Sequence, residues 1–295
     1  MPNSPQILYG KAVSLAVKTE LQERISNLEQ SGIKPGLTAV LVGDDPASQV
    51  YVRSKERQSA KLGFNSKVLR LSADTSETEL LGIVKRLNED ISVHGILVQL
   101  PLPDHIDSQL IIESINPDKD VDGFHPVSVG RLVLGLDGFL SCTPAGILEI
   151  MKFYNIETSG KHVVIVGRSN IVGKPMANLM IQKRELGNAT VTLVHTRTPD
   201  MGLHTRQADI LVAAAGVPEF ITADMVKEGV VVIDVGINRV DDDTKEKGYR
   251  LVGDVDYDGV HDKTSAITPV PGGVGPMTIA MLLSNTVKSA ENSLK

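Results

Sequence analysis

The chain has 295 residues, 41% of them hydrophobic and 3% aromatic, with a formal net charge of −6; this length suits two packed domains, and the lack of a basic surplus argues against nucleic acid or an anionic membrane as partner. A single cysteine, Cys142, rules out an intrachain disulfide, and neither a secretory pattern in MPNSPQILYG nor an apolar run long enough for a bilayer is present. A globular α/β protein of the cytoplasm, acting on a small molecule and without a repeat architecture, is the expectation.

In chain order, Val13, Val17, Leu21, Ile25 and Leu28 recur at helical spacing and predict a helix over residues 11–30 that Gly32 stops. GLTAVLVG then reads as a buried parallel strand, and Asp45 with Pro46 as cap and first helical residue opens the helix that carries YVRSK. That helix stops at Gly63. NSKVLRL is a strand, Ser76 and Glu79 form a capping box ahead of ETELLGIVKRLN, and GILVQLPLP completes a further strand. The prolines after Gln99 forbid further ladder pairing, so Gln99 lies at the carboxyl end of its strand, where parallel sheets place ligands.

A polar loop, INPDKDVDGFHP, precedes a second alternation that begins with Thr143 as cap and Pro144 as first helical residue of TPAGILEIM. HVVIVG, TVTLVH, DILVAAAG and GVVVIDVG are four buried strands of a doubly wound, Rossmann-like parallel sheet. The expected organisation is a first α/β domain over residues 1–142, a nucleotide-binding domain over 143–276, and a terminal helix over 277–295 returning to the first domain, its inner face formed by Ile279, Leu282, Leu283 and Val287.

HVVIVGRSNIVGKP places Gly167, Ser169 and Gly173 between a strand and a helix-compatible segment. It departs from G-x-G-x-x-G, with serine for the second glycine and one residue added, yet it keeps what a pyrophosphate needs: a tight turn and helix-terminal N–H groups. The next strand ends in His195, Thr196 and Arg197 rather than in a carboxylate for a ribose 2′-hydroxyl. Arg168 and Arg197 offer guanidinium forks for a 2′-phosphate, so NADP is expected over NAD, with Ser169 and Thr196 as hydroxyl donors to phosphate or ribose.

Tyr51 and Lys55 share a helical face. They precede the phosphate loop by more than a hundred residues, which excludes the Y-x-x-x-K pair of a short-chain dehydrogenase. Asp122 follows two strand-helix units, and PVPGGVGP forms a second glycine-rich loop before the last helix. Taken together, YVRSKERQSAKLG, GILVQLPLP, PDKDVDGFHP, TPAGILEIM, GRSNIVGKP and TPVPGGVGPMT, in this order and with these intervals, resemble the bifunctional methylenetetrahydrofolate dehydrogenase/methenyltetrahydrofolate cyclohydrolases over nearly the whole chain.

The resemblance implies two domains with a cleft between them, a homodimer, and two reactions: NADP-dependent oxidation of 5,10-methylenetetrahydrofolate, then hydrolysis of the methenyl product to 10-formyltetrahydrofolate. It implies Lys55 as the main hydrolytic residue, Tyr51 as the ring stacked on folate, Gln99 as the partner that tunes Lys55, and Asp122 as the pterin anchor. It also places Pro271, Gly272 and Gly273 with the folate and Ile237 near the nicotinamide. Chemistry agrees: a carboxylate matches the adjacent donors of an aminopterin edge, a phenol offers a stacking face, and a neutral amine can move the protons of hydrolysis.

Two other readings of the same residues are a two-domain NADP-dependent oxidoreductase of a small hydroxy or amino acid and a noncatalytic NADP-sensing regulator. Cys142 reads as a buried small side chain, VDDDTKEK as a solvated loop, and His94, His105, His125, His204 and His261 lack metal-ligand spacing, so no metal is expected. For the coenzyme, Arg197→Ala is expected to lower the kcat/KM preference for NADP over NAD by about tenfold or more; an unchanged ratio in coenzyme-exchange kinetics removes Arg197 from the clamp.

Overall fold

The structure, a computed structural model, describes residues 4–294. The chain divides into two compact units, one comprising Ala16–Cys142 and Ile279–Lys295, the other the residues up to Leu15 and Thr143–Thr278. They are called the three-stranded and the six-stranded unit after their sheets. The division falls inside α1 (Gly10–Gln30), near the start of α6 (Cys142–Phe153) and inside α10 (Gly275–Asn292).

In the three-stranded unit, β2 (Gly36–Val42) lies between β3 (Asn65–Leu71) and β4 (Gly95–Val98), all parallel. β2 and β4 are buried along their whole length, whereas β3 alternates between exposed and half-buried residues, as an edge strand does. α2 (Pro46–Lys61) follows β2, with the Asp45 carboxylate accepting the Ser48 N–H at 2.7 Å. α3 (Glu77–Glu89) is capped by Ser76, whose hydroxyl accepts the Glu79 N–H. α4 (Ser108–Ser114) and α5 (Pro126–Leu134) complete the unit. One core gathers Leu21, Ile25 and Leu28 from α1, Leu37 and Leu41 from β2, and Ile279, Leu282, Leu283 and Val287 from α10. The helical spacing of these residues is what puts them on one buried stripe.

The six-stranded sheet contains β1 (Gln6–Ile7), β5 (His162–Val166), β6 (Thr190–Val194), β7 (Ile210–Ala213), β8 (Val230–Asp234) and β11 (Thr264–Ile267), in the order β1-β11-β8-β7-β5-β6 and parallel throughout. The connection from β5 leads to β6 on one side and from β6 back to β7 on the other, so the topological switch point lies at β5/β7, where doubly wound sheets bind dinucleotides. α7 (Gly173–Ile181), α8 (Met201–Thr205) and α9 (Tyr257–His261) flank the sheet. β9 (Asn238–Asp241) and β10 (Tyr249–Val252) form an antiparallel hairpin whose turn carries the charged run DDTKEK.

β1 pairs with β11, Gln6 opposite Ala266 and Ile7 opposite Ile267, which ties the start of the chain to the six-stranded sheet. One expectation needs correction. α6 begins at Cys142, so Thr143 is already helical; its hydroxyl pairs with that of Thr278 at 3.0 Å instead of capping an amide. Among the described residues no helix is long and apolar enough to cross a membrane.

Candidate active site

The carboxyl end of β4 carries the first element of the site. Beyond Val98 the Gln99 N–H still donates to Val40 O at 2.9 Å, so the residue is held against β2 although its side chain has left the ladder. Its Nε2 donates to Leu100 O at 2.7 Å, and because a carbonyl only accepts, the other end of the amide, Oε1, must face away from it. Oε1 accepts a hydrogen bond from Lys55 Nζ at 3.1 Å. Lys55 is only 8% exposed, an unusual degree of burial for a lysine on a helix. Tyr51, one turn earlier on α2, is 42% exposed, and burial of part of its ring pushes the phenol pKa up. The pair therefore combines a sequestered amine with an accessible aromatic face.

The loop after the short 3₁₀ turn Pro117–Lys119 brings Asp122 to the same unit. Two carboxylates stand two residues apart, and the structure gives them opposite tasks. Asp120 is committed to the loop: Oδ1 accepts from the Phe124 N–H at 3.2 Å, and Oδ2 from the His125 N–H at 2.9 Å and Ser128 Oγ at 2.7 Å. Asp122 receives only a long contact from the Cys142 thiol, at 3.9 Å. Desolvation, partly offset by the nearby Lys55 charge, raises the Asp122 carboxyl to about 6.

Two further residues hold this loop and were not anticipated as part of it. Asn285 on α10 donates through Nδ2 to Val121 O at 2.8 Å and to Leu140 O at 3.0 Å, fixing the backbone on either side of the site. Cys142, buried as expected, donates its thiol to Val121 O at 3.3 Å. Desolvation pushes that thiol well above its ordinary range, which suits packing and not nucleophilic attack.

In the six-stranded unit, the Gly167 N–H bonds Val194 O at 2.8 Å, which places the loops after β5 and β6 side by side. A Cβ on Gly167 would lie 2.1 Å from Ala214 O, and one on Gly173 would lie 2.1 Å from Gly167 O. Only glycines allow this close turn, the kind of cradle that a pyrophosphate occupies. Ser169 Oγ accepts from the Val172 N–H at 3.1 Å and the Gly173 N–H at 3.3 Å. The serine thus ties the loop to the start of α7. Arg168, Thr196 and Arg197 are exposed at the ends of the paired strands β5 and β6. His195 Nδ1 accepts the Arg197 N–H at 3.2 Å, which tightens that turn.

Pro271, Gly272 and Gly273 follow β11 in the same unit. The Gly273 N–H donates to Pro269 O at 2.8 Å, and Gly272 O accepts from the Lys11 N–H at 3.3 Å. Ile237, 41% exposed, lies just beyond β8. Lys55, Gln99, Tyr51 and Asp122 therefore belong to one unit and the phosphate loop, Ile237 and the proline-glycine loop to the other. Among the described residues no group of three His, Cys, Asp or Glu side chains is placed to hold a metal ion.

Comparison with known proteins matches residues 8–122 to the catalytic domain, and residues 141–294 to the NAD(P)-binding domain, of the tetrahydrofolate dehydrogenase/cyclohydrolase family. The bifunctional protein FolD of Chlorobium chlorochromatii is 62% identical over 286 residues, which cover 96% of this chain and 97% of that one. Among solved structures, the bifunctional FolD methylenetetrahydrofolate dehydrogenase/cyclohydrolase of Campylobacter jejuni is 54% identical with a TM-score of 0.92, covering 98% of this chain and 100% of the other. The Trypanosoma brucei enzyme, solved with NADP cofactor and inhibitor, is 40% identical with a TM-score of 0.94 and covers both chains completely. With both domain models matched and such identity over nearly the full length, the chain belongs to the tetrahydrofolate dehydrogenase/cyclohydrolase family.

Proposed function

We propose that this chain oxidises 5,10-methylenetetrahydrofolate to 5,10-methenyltetrahydrofolate with NADP and hydrolyses the product to 10-formyltetrahydrofolate, working as a homodimer in the cytoplasm. The observation that carries the hydrolytic half is the buried Lys55 amine held on Gln99, with Asp122 in the same unit. The glycine cradle after β5, with Arg168, Ser169, Thr196 and Arg197 around it, supports the coenzyme half.

Gly167, Arg168, Ser169, Gly173, Thr196, Arg197 and Ile237 are the residues that would hold NADP. When bound, NADP supplies the acceptor for the hydride released from the methylene bridge. No side-chain base is needed for that release, because the folate nitrogen lone pair drives it; the chain's contribution is alignment. Asp122 accepts from the adjacent N–H donors of the pterin edge, Tyr51 stacks on the ring, and the segment Pro271–Gly273 lines the folate with backbone.

Hydrolysis forms a C–O bond between water and the one-carbon bridge of the methenyl cation. The attacking water gives up both its protons, one on attack and one as the formyl C=O forms; the bond from the bridge to N5 breaks, N5 keeps one proton, and the other leaves to solvent. Lys55 is the group that takes the first proton and returns one to N5. Gln99 Oε1 holds the amine in place while it does so.

Lys55→Met is expected to lower methenyltetrahydrofolate hydrolysis by roughly 10²–10⁴-fold, the usual worth of a general acid-base group, while NADPH formation changes by no more than a few-fold. Hydrolysis at the wild-type rate removes Lys55 from this role. Asp122→Asn separates binding from stability. The Asp122 carboxyl sits above its ordinary value, so it stabilises the fold fully below about 4 and loses that contribution as pH rises through about 6. The asparagine variant is expected to bind folate far more weakly, because one acceptor becomes a donor, and yet to be more stable by on the order of 1 kcal/mol near pH 7.5. Ligand-free thermal melts of the two proteins from pH 4 to pH 7.5 check this; curves that stay parallel contradict it.

A further inference from the structure

A second pair of buried carboxylates lies at the carboxyl ends of β7 and β8. Asp234, the last residue of β8, is 3% exposed and Asp254 is fully buried. Asp234 Oδ1 accepts from the Gly236 N–H at 3.0 Å and the Asp254 N–H at 2.9 Å, and Oδ2 accepts from the Val255 N–H at 3.0 Å. Asp254 Oδ2 accepts from the Gly216 N–H at 2.8 Å, just after β7. Asp254 Oδ1 accepts from Asn238 Nδ2 at 2.9 Å, and the same amide reaches Gly253 O at 3.2 Å. The Asp234 N–H also donates to Thr268 Oγ1 at 2.7 Å, at the end of β11. Seven backbone or side-chain hydrogen bonds thus converge on residues 234–238 and 253–255.

The fit leaves no room for side chains. A Cβ on Gly253 would lie 1.7 Å from Asp234 Oδ2, and one on Gly236 would lie 2.2 Å from Asp254 Oδ1. Burying two carboxylates this close is costly, and apolar packing would hold a hairpin base more cheaply. Desolvation, opposed by the backbone N–H groups, pushes the Asp234 carboxyl up to about 7. The location indicates what the cost secures. With the pyrophosphate at the β5 loop and a 2′-phosphate at Arg197 after β6, the nicotinamide half of the dinucleotide extends the other way, over the ends of β7 and β8. Ile237 stands there, pinned on one side through Gly236 to Asp234 and on the other through Asn238 to Asp254.

We propose that Asp234 and Asp254 are positioning residues of the hydride-transfer step: interlocked across β7, β8 and the β9–β10 hairpin, they fix the backbone around Ile237 that sets the nicotinamide against the methylene bridge. The proposal rests on the dehydrogenase reading above. It requires that losing the latch damage hydride transfer while sparing hydrolysis, whose lysine lies in the other unit.

The test uses the full-length protein and the variants Asp234→Asn and Asn238→Ala. Asparagine at 234 opposes an N–H donor with another donor, whereas alanine at 238 leaves both carboxylates intact and cuts only the tie to Asp254. Three readouts are compared: NADPH formation, methenyltetrahydrofolate hydrolysis, and the emission of bound NADPH, which a chain without tryptophan does not obscure. The expected result for Asp234→Asn is a loss of about 10²-fold in the dehydrogenase kcat, the scale of a displacement of about 1 Å. Hydrolysis stays within about twofold of wild type, and the NADPH dissociation constant shifts less than kcat while the emission change on binding shrinks. Asn238→Ala, which keeps the fold safer, is expected to show the same pattern at about tenfold. Wild-type kcat and emission in Asn238→Ala, or parallel loss of both activities in the two variants, overturns the proposal. Wild-type protein that forms no NADPH would instead sink the dehydrogenase reading itself.

Discussion

The hydrogen bond from Lys55 Nζ to Gln99 Oε1 is the interaction on which the proposed hydrolytic site depends. A lysine side chain is long, mobile and strongly hydrated, and to serve as a proton carrier at one carbon atom it must be shorn of water and held still. The fold does this with two short elements. β4 ends at Val98 and leaves Gln99 tied by its backbone to β2, and α2, started by the Asp45 cap immediately after β2, brings Lys55 over the same strand end. The orientation of the amide follows from Leu100 O, which can only accept. Strand ending, helix capping and side-chain chemistry are thus a single constraint.

The carboxylates show how one residue type is assigned to different work by its supply of donors. Asp120 and Asp234 each take three hydrogen bonds from the protein and act as internal fasteners. Asp122 takes one weak thiol contact, and its desolvation is only partly offset by the nearby Lys55 charge. A buried acceptor left in that condition costs stability, which in the proposed function recognition of a donor-rich ring edge offsets. The same reasoning separates Ser169, whose oxygen is filled by two loop amides, from a serine free at both ends.

Much of the fold was legible because its elements are strongly periodic. The stripe of Ile279, Leu282, Leu283 and Val287 and the wholly apolar β2 and β5 announce themselves at helical and buried-strand spacing. β1 and β11 did not, because two and four residues carry too little pattern. Of the site, Tyr51, Lys55, Gln99 and Asp122 could be singled out from spacing, strand ends and family resemblance. That Asp120 is spent on the loop could not, since that depends on the amides of Phe124 and His125 folding back. Asn285 was equally hidden: it reaches Val121 across 164 positions, a contact that only the packing of α10 creates.

The central claim is that one chain couples an NADP-dependent oxidation to a lysine-dependent hydrolysis. It is tested most directly by incubating the purified protein with 5,10-methylenetetrahydrofolate and NADP while following NADPH and 10-formyltetrahydrofolate together. The account predicts that both appear from the same preparation, in equal final amounts once the reaction has run out. Absence of NADPH, or NADPH with only the slow spontaneous formation of the formyl product, would contradict it.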